Sequence, residues 1–154
     1  MAELLAKAKA EPCAITFGSP GIGSGGHLAG ELFQLLAGVK LANIPYKGSA
    51  PAMNDLRGGR IDLLFGTTPA VAQFIKTGSL RPLGVSSTSR VAGLPDVPTI
   101  AESGVAGYET YSWYGLWTTA GTPAPTTPEQ TGAFLVKEIE KWREVITKAG
   151  ITAE

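Results

Sequence analysis

Short apolar, β-branched runs alternating with stretches of helical spacing set the strongest limit on how this chain can fold. The runs fall at 14–17, 41–45, 61–65 and 80–85. Residues 2–10 precede the first as an Ala/Lys/Leu helix that Pro12 ends. Between the first two runs, Leu28, Leu32, Leu35 and Leu36 recur at helical spacing until Gly38. A short helix over 49–58 follows the second run, and Pro69 is placed to open another that lasts to Gly78. Strand and helix in strict turn predict right-handed βαβ units. The expected fold class is α/β: three layers, a mostly parallel sheet with helices on both faces. Pro82 suggests an edge or strand-start position in the fourth run, since proline cannot donate to a ladder.

The alternation stops near residue 90. From 90 to 107 the sequence predicts turns and one short helix near Thr99–Glu102. Residues 108–119 are aromatic and read as a long strand able to cross between lobes, with Tyr108, Tyr111, Trp113, Tyr114 and Trp117 as packing residues. Residues 122–128 hold three prolines and read as a stiff joint. From 129 to 149 an amphipathic helix places Phe134, Leu135, Ile139, Trp142, Val145 and Ile146 on one stripe, expected to pack back on the sheet of its own lobe. The short joint also allows this helix to swap between two chains, so monomer and helix-swapped dimer are both expected forms.

A chain of 154 residues suits a single domain, 1–154. Thirteen basic and thirteen acidic residues balance, with no basic cluster, which argues against a nucleic-acid partner. A single cysteine excludes an internal disulfide, and a single histidine excludes a His-rich metal site. No apolar run reaches the roughly 20 residues of a membrane span. The start, Met1-Ala2-Glu3-Leu4-Leu5-Ala6-Lys7, lacks the apolar core of a signal peptide.

The chemistry-bearing feature is the loop after the first strand, Gly18-Ser19-Pro20-Gly21-Ile22-Gly23-Ser24-Gly25-Gly26. Residues 21–26 match G-x-G-x-x-G between a strand and a helix, the setting of a dinucleotide loop. Dinucleotide binding also needs an acid about 20 positions on. The second strand instead ends Ile44-Pro45-Tyr46-Lys47-Gly48. Lys47 would suit a 2′-phosphate, so an NADP-binding oxidoreductase domain is the alternative. A simple anion demands less: free N–H groups and the positive end of a helix dipole suffice. The glycines could serve a tight strand-to-helix turn alone, but five in nine residues exceed what such a turn needs, which favours the anion site.

His27 falls in the first turn of the helix. Catalysis by a Ser24–His27 pair would need an acid to orient the imidazole, and packing against the loop accounts for the residue more simply. Ile22 also breaks the G-x-S-x-G pattern of a nucleophile elbow. Asp62, within the third apolar run, either holds a neighbouring loop or faces a ligand.

The residues 17–33, from Phe17-Gly18-Ser19-Pro20 through Gly26-His27-Leu28 to Glu31-Leu32-Phe33, resemble the Bug, or TctC-like, solute-binding proteins of tripartite tricarboxylate transporters. So do Ile44-Pro45-Tyr46-Lys47-Gly48, Gly59-Arg60-Ile61-Asp62, Gly78-Ser79-Leu80-Arg81-Pro82-Leu83, Pro95-Asp96-Val97-Pro98-Thr99 and Trp113-Tyr114-Gly115-Leu116, in the same order. The resemblance implies one lobe of a two-lobed periplasmic-binding-protein-like fold, about half the family's length. It implies a non-catalytic binding lobe without a cofactor, a small carboxylate as ligand, membrane transporter subunits as partners and a periplasmic setting for the full-length family. It assigns carboxylate contact to Ser19, Gly23, Ser24, Gly25, Gly26 and His27, with Asp62, Thr67 and Thr68 as further candidates. It also implies that the joint at 122–128 replaces a first-lobe segment, by deletion or natural truncation.

Overall fold

The computed structural model describes residues 1–112 and 128–151. Helix α1 (Ala2–Ala10) buries Ala8 and ends where the Glu11 N–H reaches Lys7 O, one residue before Pro12. Strand β1 (Thr16–Ser19) leads through the glycine loop into α2 (Gly25–Ala37), which Gly38 closes in the left-handed conformation at φ 63°. The chain continues with β2 (Ala42–Pro45), α3 (Ser49–Arg57), β3 (Leu63–Leu64), α4 (Thr68–Lys76) and α5 (Pro128–Ala149). The strands lie in the order β2-β1-β3, all parallel, with Phe17 beside both Asn43 and Leu63.

Neighbouring residues of β1 show the layers. A strand points successive side chains to opposite faces. The Phe17 ring lies so close under α2 that a Cβ on Gly30 would run into it. On the next residue, a Cβ on Gly18 would meet Ile61 Cδ1 at 2.5 Å and Ala52 Cβ, on α3, at 3.4 Å. Helices therefore cover both faces of a parallel sheet, as the alternation predicts. The core on the α2 face joins Ile15, Phe17, Leu32, Phe33, Val39 and Leu41 to Ile100, Val105 and Tyr108. Phe17 meets Phe65 edge-on at 5.9 Å, and Phe33 meets Tyr108 edge-on at 6.1 Å, a geometry that aromatic quadrupoles favour. The buried Tyr108 hydroxyl donates to Ala29 O at 3.0 Å, and burial pushes its pKa upward. Buried Gln34 accepts the Leu41 N–H at 2.7 Å and so ties the end of α2 to the start of β2.

Several expectations are corrected. The run at 80–85 forms no strand: only Val85 pairs, with Thr99, through Val85 N to Pro98 O and Ile100 N to Val85 O. Pro82 has no N–H to give β3, and a segment bonded to 98–100 is no longer available to it. Thr99 and Glu102 exchange the reciprocal bonds of a capping box, Thr99 N to Oε2 at 2.7 Å and Glu102 N to Oγ1 at 3.0 Å, yet only turns follow, ending at Gly104 with φ 108°. Of the long aromatic strand, 108–112 are not strand and 113–119 lie outside the described residues, as do 122–127 of the joint. Leu35 and Leu36 are about 40% exposed; the buried stripe of α2 instead uses Ala29, Gly30, Leu32 and Phe33. Helix α5 rests chiefly on α2 rather than on the sheet, with Val145 buried, Trp142 against the core and Ile139 exposed; the Phe134 side chain lies outside the described residues.

Candidate anion-binding site

At the carboxyl edge of the sheet the chain leaves β1 and reverses through a loop that only glycine can make. Gly21 has φ 146° and Gly23 φ 74°, positive values that a Cβ penalises. Ser24 then caps α2 in extended conformation: its Oγ accepts the His27 N–H at 3.3 Å and donates to Gly21 O at 2.6 Å. The hydroxyl expected to reach a ligand is thus spent on the loop itself.

His27 also serves the loop. The Gly23 N–H donates to its Nδ1 at 3.0 Å, so Nδ1 carries a lone pair and the ring proton sits on Nε2, 3.6 Å from Glu31 Oε1. The ring is 6% exposed and stacks on Phe17 at 6.4 Å. It is a strut under the loop. The amides of Gly25 and Gly26 enter none of these bonds, and they stand at the positive end of α2. Gly25 is exposed, and a Cβ there would meet nothing within 4 Å.

Two further groups come to the same edge. Ser19 closes β1 fully buried, and its Oγ has no hydrogen-bond partner among the described residues. Most buried hydroxyls have a partner, which singles this one out for attention, as it does the buried Asn43 Oδ1. A Cβ on Gly26 would lie 3.0 Å from Phe65 O, so the first turn of α2 packs against the residue that leads into the turn Gly66-Thr67-Thr68. Thr67 caps α4 without using its side chain, and Thr67 and Thr68 are exposed. Helices α2 and α4 both begin at this carboxyl edge, after the adjacent parallel strands β1 and β3, and each helix amino end carries roughly half a positive charge. This edge is open. The 330 Å³ cavity between α2 and α5, lined by Gln34, Leu35, Val39 and Val145 among others, includes no loop residue. A second, of 270 Å³, takes in Ile22 and His27 beside Glu31 and Asn43.

Asp62 is not brought to this edge. It lies beyond the amino end of the sheet, where Oδ2 accepts the Thr16 N–H at 2.8 Å and the Thr16 hydroxyl at 2.7 Å, while Asp62 N donates to Thr16 O. Those Thr16 bonds hold its carboxyl below the usual range. Parallel strands put Thr16 and Ser19 at opposite ends of β1, so a carboxylate paired with Thr16 cannot reach a ligand beyond Ser19. The loop is instead clamped by a residue that sequence reasoning did not single out. Tyr46 N donates to Ser19 O at 2.9 Å and Gly48 N to Pro20 O at 3.0 Å, binding the β2–α3 turn to the glycine loop. A tyrosine after a strand carries no local signal of that pairing.

The family model described as the tripartite tricarboxylate transporter family receptor matches residues 1–151. Among solved structures, an R. palustris protein with adipate, Rpa4515, is similar at 33% identity and a TM-score of 0.88, over 99% of this chain and 61% of that one. The periplasmic binding protein BugD is similar at 32% identity and a TM-score of 0.83, over 100% of this chain and 62% of its own. Protein BugT of Bordetella pertussis is 33% identical over 96% of this chain and 55% of its own length. That alignment runs 178 residues against a chain of 154, so BugT carries residues with no counterpart here. The chain spans between about a third and just under two thirds of the length of the curated relatives it matches.

Proposed function

The chain belongs to the tripartite tricarboxylate transporter receptor family, and from that premise we propose that it is a binding lobe that holds a small carboxylate at the carboxyl edge of its sheet. A family of receptors and binding proteins sets aside the NADP-linked oxidoreductase, and the absence of an acid after β2 agrees with that. The observation that carries the proposal is that two helices, α2 and α4, begin at one edge of the sheet beside the buried Ser19 hydroxyl, which has no partner among the described residues. Gly25 and Gly26 amides, Ser19 Oγ and the Thr67-Thr68 turn are the proposed contacts; Gly23, Ser24 and His27 shape the loop that presents them. Asp62 is left out on geometry.

The adipate held by Rpa4515 supports the ligand class, and the name of BugD supports a periplasmic setting. Delivery to membrane transporter subunits is proposed with it, supported by the family's description as a transporter receptor. We propose further, from the three prolines of 122–128, that this stretch joins segments which relatives keep further apart; BugT carries unmatched residues that such a segment would account for. Titration of the 154-residue chain with adipate, followed by amide chemical shifts, tests the site. Shifts should concentrate at residues 19–27 and 66–68. Shifts centred on Asp62 or on the α2–α5 cavity would refute it.

A further inference from the structure

We infer that Tyr46, held by Asp55 and Arg60, is a positioning residue for the glycine loop; the inference rests on that loop being the ligand site. Tyr46 is fixed at both ends. Its N–H donates to Ser19 O at 2.9 Å, and its carbonyl lies 3.6 Å from where a Gly21 Cβ would be. Its ring edge, at Cε2, lies 3.4 Å from the Cβ position of Gly18. At the far end the hydroxyl donates to Asp55 Oδ2 at 2.9 Å. Arg60 Nη1 donates to the other carboxylate oxygen, Oδ1, at 2.8 Å, and Arg60 N donates to Asp55 O at 2.9 Å.

A single stiff side chain thus runs from α3 under the sheet edge to the residues that start the loop. The neighbouring Gly48 N–H, on Pro20 O, extends the same seam by one bond. Together these bonds occupy the carbonyls of Ser19 and Pro20 and fix the direction in which the chain enters the turn toward Gly25 and Gly26. The Tyr46 hydroxyl, committed to Asp55, is not itself a ligand contact. Arg60 is largely exposed, and an exposed ion pair adds little stability. Its effect is geometric: with one carboxylate oxygen on Arg60, the other is aimed at Tyr46.

Amide hydrogen exchange and adipate titration of the full 154-residue chain test this in Tyr46→Phe, Asp55→Asn and Arg60→Lys, with Tyr111→Phe as control. Tyr46→Phe should speed exchange at Tyr46 and Gly48 about tenfold or more, leave the Leu41 amide and those of α5 unchanged, and weaken adipate severalfold. Asp55→Asn should do the same in part. Arg60→Lys, which keeps a donor for Oδ1, should stay near wild type, as should Tyr111→Phe. Exchange that rises everywhere alike would overturn the inference, because it would mean general loosening. So would unchanged exchange at Tyr46 and Gly48, or unchanged adipate affinity in Tyr46→Phe when wild type binds. Local loosening in a protein whose wild type binds no adipate would leave the brace standing and remove the site assignment instead.

Discussion

Gly25 and Gly26 are adjacent and alike in sequence, yet their surroundings differ. A Cβ on Gly25 meets open space, whereas one on Gly26 meets Pro20 Cδ at 2.9 Å and Phe65 O at 3.0 Å. Gly25→Val should therefore keep wild-type stability and lose adipate, because only an approaching ligand needs that space. Gly26→Val should cost about 1–3 kcal/mol of stability by overpacking. Thermal melts beside the adipate titration separate the two, and equal melting losses would show the loop to be packed differently. His27→Gln keeps an acceptor for the Gly23 N–H and should change adipate binding by less than roughly 1 kcal/mol, the scale of one net hydrogen bond. Loss of binding in that variant with stability intact would make the imidazole a direct contact. The glycine loop itself was legible from sequence, since its composition and its place between strand and helix are local facts. The turning of the Ser24 hydroxyl back to Gly21 was not, because a cap and a ligand donor use the same residue type.

At the scale of elements, the Thr16–Asp62 pair fastens β3, only two residues long, to β1. Bonds from Thr16 lower the Asp62 pKa from its ordinary 3.8. A carboxyl depressed in the folded state contributes stability above the unfolded value and loses it as pH falls through the folded value. The stability difference between wild type and Asp62→Asn should be constant above about pH 5 and shrink as pH drops through and below about 4. Urea titrations from pH 3 to 7 check this, and a difference independent of pH would sever Asp62 from acid stability. Adipate binding at pH 7 should survive Asp62→Asn, since the residue lies at the other end of the sheet. Element order in the first 76 residues follows the sequence periodicity, because caps, prolines and glycines act within a few residues, while β1 falls at Thr16–Ser19 rather than 14–17 and β3 shrinks to Leu63–Leu64. The fourth strand failed because its partner choice, 98–100 over β3, depends on contacts beyond any local window.

For the whole molecule, the open edge sets the expected affinity. An exposed helix amino end contributes about 0.3–1 kcal/mol and a net hydrogen bond about 1. A micromolar complex needs about 8 kcal/mol beyond the ordering cost of association. The 154-residue chain alone should bind adipate in the millimolar range, which calorimetry checks; a sub-micromolar complex would show that one lobe suffices. Sequence by itself determined the α/β class, the helices and strands up to α4, and the loop where the anion is proposed, since each follows from side-chain period or backbone freedom over a short span. Tertiary structure alone decided that Asp62 pairs with Thr16, 46 residues away, that α5 lies on α2, and that Tyr46 clamps the loop. Those outcomes depend on which strands pair and in what register, a choice made by the folded sheet as a whole and written in no single stretch of residues.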